Sequence, residues 1–307
     1  VLVAAAVCPH PPLLIPAAMG TVGLAGARPA EAGLAGAGPA GAGQAGAGPA
    51  DAELRGLRAC CAAAVAGLLA AGPDLLVVVG GAARGAVYAC HATGSLRDFG
   101  ITAAAGSGEP VLPLSLTAGA WLLDQAGEKR RRTAGRALPG HPDGQPGTGP
   151  ARCALPCRLL LRAVATDLPP ADCLRLGAEL AGLAPRVALL AMGDASARKA
   201  VGVPGAADPA AERYDAEVAA ALSAADPDRL ASLDPALDDE LLVAGRAAWQ
   251  VLAGAADGIT LRGHLRCAVA PYDVTYLVAS WERAAGEHGG SPMSAPATAA
   301  QAPKKSW

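Results

Sequence analysis

Aromatic side chains are scarce: they make up 3% of the 307 residues, and Phe99 is the single phenylalanine. A core built from this chain must therefore rely on Ala, Val and Leu, whose small side chains let helices and sheet approach closely. Net charge is nearly absent as well, −2 with a pI near 6.2. That removes any general attraction to phosphate backbones or anionic lipid and argues against nucleic acid or a membrane as partner. No run reaches the ~20 apolar residues that a membrane helix needs. A positively charged leader is missing, and Pro9, Pro11, Pro12 and Pro16 interrupt the apolar opening early, so no signal peptide is expected. The eight cysteines (Cys8, Cys60, Cys61, Cys90, Cys153, Cys157, Cys173 and Cys267) lack the paired spacings of zinc sites. Cys153 and Cys157 come nearest, without a second such pair. The thiols read as buried or incidental and reduced, which fits a cytoplasmic protein.

What is present is apolar sequence, 52% of the chain, ample for a real core. Val1 to Val7 is an uninterrupted Val/Leu/Ala run, as expected of a strand buried on both faces, and the prolines after it end the strand. His10 then lies at a strand's carboxyl end, the edge of an open α/β sheet where ligands and metals bind. Residues 20–50, dominated by Gly, Ala and Pro, read as a flexible insertion. Asp51 is expected to cap a helix that stops at Gly72-Pro73, and Leu75 to Val79 form a second buried strand. A third strand is expected over 111–116 and a short helix over 118–125. Residues 127–150, with the basic cluster Lys129 to Arg132, read as a surface loop. Later come a strand at 159–164, a helix at 171–183, a buried strand at 187–191, helices at 209–224 and 234–256, and strands at 263–269 and 275–280. The strand, helix, strand order predicts an α/β fold: one domain over residues 1–283, with a largely parallel or mixed central sheet flanked by helices on both faces. A disordered tail is expected from residue 284.

Several segments together resemble the B-type subunit of class III extradiol ring-cleavage dioxygenases and the related Memo-like proteins. They are Pro9-His10-Pro11-Pro12, Ser95 to Gly100, the strand exit Gly193-Asp194-Ala195-Ser196-Ala197-Arg198, Asp208-Pro209, Tyr214-Asp215, Asp234-Pro235, and Ala270 to Tyr276. The resemblance covers residues 1–281 apart from the Gly/Ala insertion. It implies non-haem Fe(II) held by two histidines and a glutamate, with open positions for a catecholate and dioxygen. It also implies a further histidine as base for the catechol proton. By position, His10 is the first metal ligand. The second histidine falls on Gly80-Gly81-Ala82, the base on Ala197 and the glutamate near Val243, none able to ligate.

Each lost imidazole or carboxylate removes coordination energy and fixed geometry. The expectation is accordingly a dioxygenase-like pseudoenzyme, with Fe(II) bound weakly or not at all. Asp194 is the candidate catalytic residue, as a ligand or substrate-orienting group, with a turn cap as its other reading. Two functions stay open: an iron dioxygenase with His10 and Asp194 in a rebuilt site, or a non-catalytic binding or interaction protein on the same fold. The resemblance adds a small aromatic ligand and a second subunit or homo-oligomer as partners. His91 is the one other histidine whose loop could fold back toward His10. A serine hydrolase is excluded by the lack of Gly-x-Ser-x-Gly.

Overall fold

Apolar runs too short for helices become strands, and their order along the chain sets the sheet. The computed structural model describes residues 1–15, 48–101, 104–105, 108–137, 150–198 and 208–283. The opening run is β1 (Leu2–Cys8), buried at every residue. Then come α1 (Pro49–Ala70), β2 (Leu75–Ala82), β3 (Ala86–Tyr88), β4 (Thr93–Ser95), β5 (Ala104–Ala105), β6 (Pro110–Leu112) and the long α2 (Leu114–Ala137). The second half runs β7 (Arg158–Ala165), α3 (Pro170–Ala181), β8 (Val187–Met192), α4 (Pro209–Ala224), α5 (Pro227–Ala231), α6 (Ala236–Leu241), α7 (Arg246–Ala256), β9 (Leu261–Val269) and β10 (Tyr276–Arg283).

Seven strands form one sheet in the order β3-β7-β2-β8-β1-β10-β9, and β5-β4-β6 form a small second one. β7, β2, β8 and β1 are mutually parallel, whereas β3, β10 and β9 pair antiparallel at the two sides. β1, β2 and β8, covered on both faces, need apolar side chains in both directions, which is why their sequences are continuous rather than alternating. Leu2, Ala5 and Val7 enter a core with Val218, Trp249 and Leu252 of α4 and α7. Ala4, Ala6 and Cys8 enter the opposite core with Leu57 and Leu68 of α1 and Leu122 of α2. This is the expected α/β architecture, a mixed sheet with a parallel centre between two helical layers.

Some local expectations are corrected. The surface loop over 127–150 is helical as far as Ala137, and Lys129 to Arg132 lie on α2, where Glu128 and Arg132 pair one turn apart. Gly127 does not break that helix. It admits the neighbouring chain instead, since a Cβ there would stand 2.5 Å from the Ala151 carbonyl oxygen. Pro113 shortens the expected strand over 111–116 to β6 and hands the chain to α2. The helix expected over 234–256 is two helices, because Leu242 turns left-handed (φ 53°) and ends α6. Asp51 is not the N-cap of α1. Gly48 is, and the Asp51 carboxylate accepts from its N–H at 3.3 Å. Residues 20–47 of the Gly/Ala insertion, 138–149 of the loop and the tail from 284 lie outside the described residues.

Two buried arginines pin these turns. Arg246 pairs with Asp238 at 2.5 Å and donates to the carbonyls of Thr166 and Leu168, tying α7 to α6 and to the turn after β7. Arg152 pairs with Asp124 of α2 and donates to the carbonyls of Cys90 and Ala92. Among the described residues no helix is long and apolar enough to cross a membrane.

Candidate functional site

Because β1, β8 and β2 are adjacent and parallel, their carboxyl ends open on one edge. Met192 stands level with both Cys8 and Gly80. The chain leaves β1 through Cys8-Pro9-His10 and β8 through Gly193-Asp194, and Gly193 N–H donates to the Cys8 carbonyl at 3.0 Å. His10 is 8% exposed, and its backbone N–H donates to Asp194 Oδ1 at 2.8 Å. Its Nδ1 lies 3.6 Å from the same oxygen, too long for a hydrogen bond, and has no partner. Asp194 therefore orders the loop after β1 through the backbone and leaves a buried imidazole nitrogen unsatisfied. Tyr276 of β10 adjoins this carboxylate. Burial first, and then the Asp194 charge, push its phenol above the ordinary tyrosine range, so it stays neutral.

The turn between α6 and α7 closes the same edge. Ala244 N–H donates to the Asp194 carbonyl at 3.1 Å, and Ala197 N–H to the Leu241 carbonyl at 3.0 Å. At Gly81, a Cβ would stand 3.4 Å from the Ala244 carbonyl oxygen. Four segments thus converge: His10, Gly80 to Ala82, Gly193 to Ala197, and Val243 to Gly245. The approach is closest at Gly193, where a Cβ would lie 2.4 Å from the Gly245 Cα and 3.1 Å from Trp249 Nε1. Gly193→Ala is expected to destabilise the protein by about 2 kcal/mol, because the added methyl meets backbone that cannot rotate away. A urea midpoint unchanged from wild type would show that the turn yields freely.

A carboxylate beneath the edge holds it in shape. Asp215 of α4 is 6% exposed. It accepts from Ser196 N–H at 2.9 Å, from Ser196 Oγ at 2.8 Å and from Thr275 Oγ1 at 2.5 Å. Ala195 N–H donates to the Thr275 carbonyl at 3.0 Å, and Thr275 N–H returns to the Ser196 carbonyl at 2.9 Å. Three segments that stand apart in sequence are joined by this one side chain. Sequence reasoning misses the role, although an aspartate on the apolar face of a helix beside Tyr214 is a signal for it.

The other histidines do not join His10 in a ligand set. His91 lies in an exposed turn after β3, and His264 is exposed on the edge strand β9. His141 and His288 lie outside the described residues. Among the described residues no three His, Cys, Asp or Glu side chains come together in an arrangement able to hold a metal ion. One imidazole and one carboxylate fall short of two histidines and a glutamate.

No protein-family model and no curated protein matches this chain. Among solved structures, it is similar to an uncharacterized protein from Escherichia coli K12. The two share 16% identity at a TM-score of 0.42, over 91% of this chain and 99% of that one.

Proposed function

We propose that this chain is a class III extradiol dioxygenase-like protein of the B type whose crevice has lost its iron donor set, and that it serves as a non-catalytic binding protein for a small aromatic ligand. The observation that carries this reading is the convergence at one sheet edge of the positions where the resembling family keeps its donors: 10, 80–82, 197 and 243. Of these, only His10 bears a nitrogen or oxygen side chain. Asp194 lies beside it, but its carboxylate is engaged by the His10 backbone. The iron implied by the resemblance does not fit the residues present, since two donors give neither the coordination energy nor the facial geometry that leaves room for dioxygen. No step of ring cleavage is assigned to the chain. The His10 imidazole is suited instead to a hydrogen bond with a ligand hydroxyl, worth most where water is excluded.

The test is anaerobic loading with Fe(II), desalting and metal analysis, alongside catechol binding and turnover. Wild type is expected to retain well below one equivalent of iron and to form no yellow ring-opened product. Catechol binding should survive chelator and weaken about tenfold in His10→Ala, the loss of one buried hydrogen bond. Stoichiometric iron that disappears in His10→Ala, with product from wild type, would establish the rebuilt dioxygenase in place of this reading.

A further inference from the structure

α1 and α2 lie side by side on one face of the sheet, and each leads into one of the parallel neighbours β2 and β7, so the two helices run in the same direction. A groove of about 760 Å³ lies between them, within the size range of small-molecule sites. Its lining runs from Arg58 to Ala70 on α1 and from Trp121 to Thr133 on α2, about 18 Å at the α-helical rise. The floor is apolar, formed by the buried side chains of Val65, Leu69 and Leu122.

The two ends of the groove differ. At one end the turn Pro12–Leu14 after β1 lies against both helices. Arg58 is committed there, donating to the Leu13 carbonyl at 2.6 Å and the Leu14 carbonyl at 2.7 Å, and Trp121 packs against Ile15, Leu96 and Ile101. At the other end Lys129, Arg130 and Arg132 line the groove, and no carboxylate is part of the lining. Arg132 pairs with Glu128. Among the described residues no carboxylate forms an ion pair with Lys129 or Arg130. The carbonyls of Ala71 and Gly72, at the foot of α1, accept from Arg186 and so do not oppose an anion at this end.

We propose that this groove binds a long-chain fatty acid as its carboxylate, the alkyl chain lying over Val65, Leu69 and Leu122 and the head group held by Lys129 and Arg130. An apolar floor of this length with free cations at one end matches a molecule that is apolar along its body and anionic at one tip. A nucleotide needs its phosphates close to the ring that stacks its base, whereas Trp121 and Lys129 are about 12 Å apart along α2. An acidic helix of a partner protein needs cations along both rims, and Ala62, Ala66 and Gln125 supply none. The groove is separate from the crevice at His10, and its occupancy does not depend on what the crevice binds.

The experiment titrates the full chain with monomeric laurate by calorimetry, with octanoate and the uncharged dodecanol as comparisons. Laurate is expected to bind at one saturable site. Octanoate, four methylenes shorter, should bind at least about tenfold more weakly, since each methylene taken out of water adds affinity. The double substitution Lys129→Glu with Arg130→Glu, both exposed on α2, should weaken laurate at least about tenfold and leave dodecanol unchanged. Ala66→Trp, at an exposed position of α1, should fill the groove and abolish binding of both at an unchanged urea midpoint. No saturable laurate binding, equal affinity for octanoate, or laurate binding untouched by the charge reversal or by a folded Ala66→Trp would each overturn the proposal. So would sedimentation with phosphatidylglycerol vesicles, lost on charge reversal, by a chain that does not bind monomeric laurate, since the cations would then serve a membrane surface.

Discussion

Asp215→Ala is expected to cost about 3 kcal/mol of stability, read as a lowered urea midpoint at unchanged slope. The carboxylate takes three hydrogen bonds, from the Ser196 backbone, the Ser196 hydroxyl and the Thr275 hydroxyl. Truncation strands all three donors away from water, and each stranded donor costs about 1–3 kcal/mol. Against that stands the relief of no longer burying a carboxylate whose three partners are all neutral, which keeps the total below the simple sum. Asp215→Asn should lose only about half as much: its amide oxygen still accepts from the Ser196 N–H, and the hydroxyls can turn to accept from its NH2 group. The order wild type, Asn, Ala is the outcome to look for. Equal stability of wild type and the alanine variant would mean that the chain after β8 is held by its backbone bonds alone. The alanine variant should also speed amide exchange at Ala195 and Ser196, since the residues that carry Asp194 into the crevice hang from this one side chain.

The sheet is legible in the sequence because three of its four parallel strands, β1, β2 and β8, are built on short apolar runs followed by glycine or proline. Leu75 to Val79 before Gly80 and Val187 to Ala191 before Met192-Gly193 leave little else to choose from. What misleads is local punctuation whose purpose is tertiary. Gly127 and the cationic residues after it suggest a surface loop, yet the glycine is a contact point inside α2, and Lys and Arg are good helix formers. Conversely, no proline interrupts 236–256, and the break comes from Leu242, a residue with no turn preference. It is held left-handed where the Asp238 and Asp194 carbonyls receive the N–H groups of Val243 and Ala244. Such a break is set by the partners of the turn, not by its own residues.

The candidate site divides the same way. His10 and Asp194 are visible as polar residues just past apolar strands, and the structure brings them together. Their relation is not visible: the bond runs through the His10 backbone, and a main-chain donor has no signature in sequence. Ser196 and Thr275, short hydroxyls amid a Gly/Ala-rich sequence, carry no mark of burial. Arg152 and Arg246 read as surface charges, because arginine seldom lies fully buried unless paired, and their partners are several to many residues away.

Gly254→Ala is expected to be strongly damaging for a single added methyl, costing about 3–5 kcal/mol, while Gly56→Ala, also within a helix, should stabilise the protein by up to about 1 kcal/mol. Helix propensity favours both changes, so their opposite signs isolate packing. At Gly56 on the exposed side of α1, an added Cβ meets nothing within 4 Å. At Gly254 of α7 it would stand 2.0 Å from the Leu174 carbonyl oxygen of α3, and at Gly177 of α3 it would stand 2.0 Å from the Val251 carbonyl oxygen. The two helices cross with backbone against backbone, an approach open only to residues without a side chain, and neither carbonyl can swing aside while it holds its helix. The consequence reaches the crevice. α7 carries Trp249, whose ring packs against Gly245 and Gly193, so pushing α7 away from α3 shifts one wall of the edge where His10 and Asp194 lie. Chemical denaturation of the two glycine variants side by side provides the check. Equal and small effects would show that α3 and α7 separate at little cost.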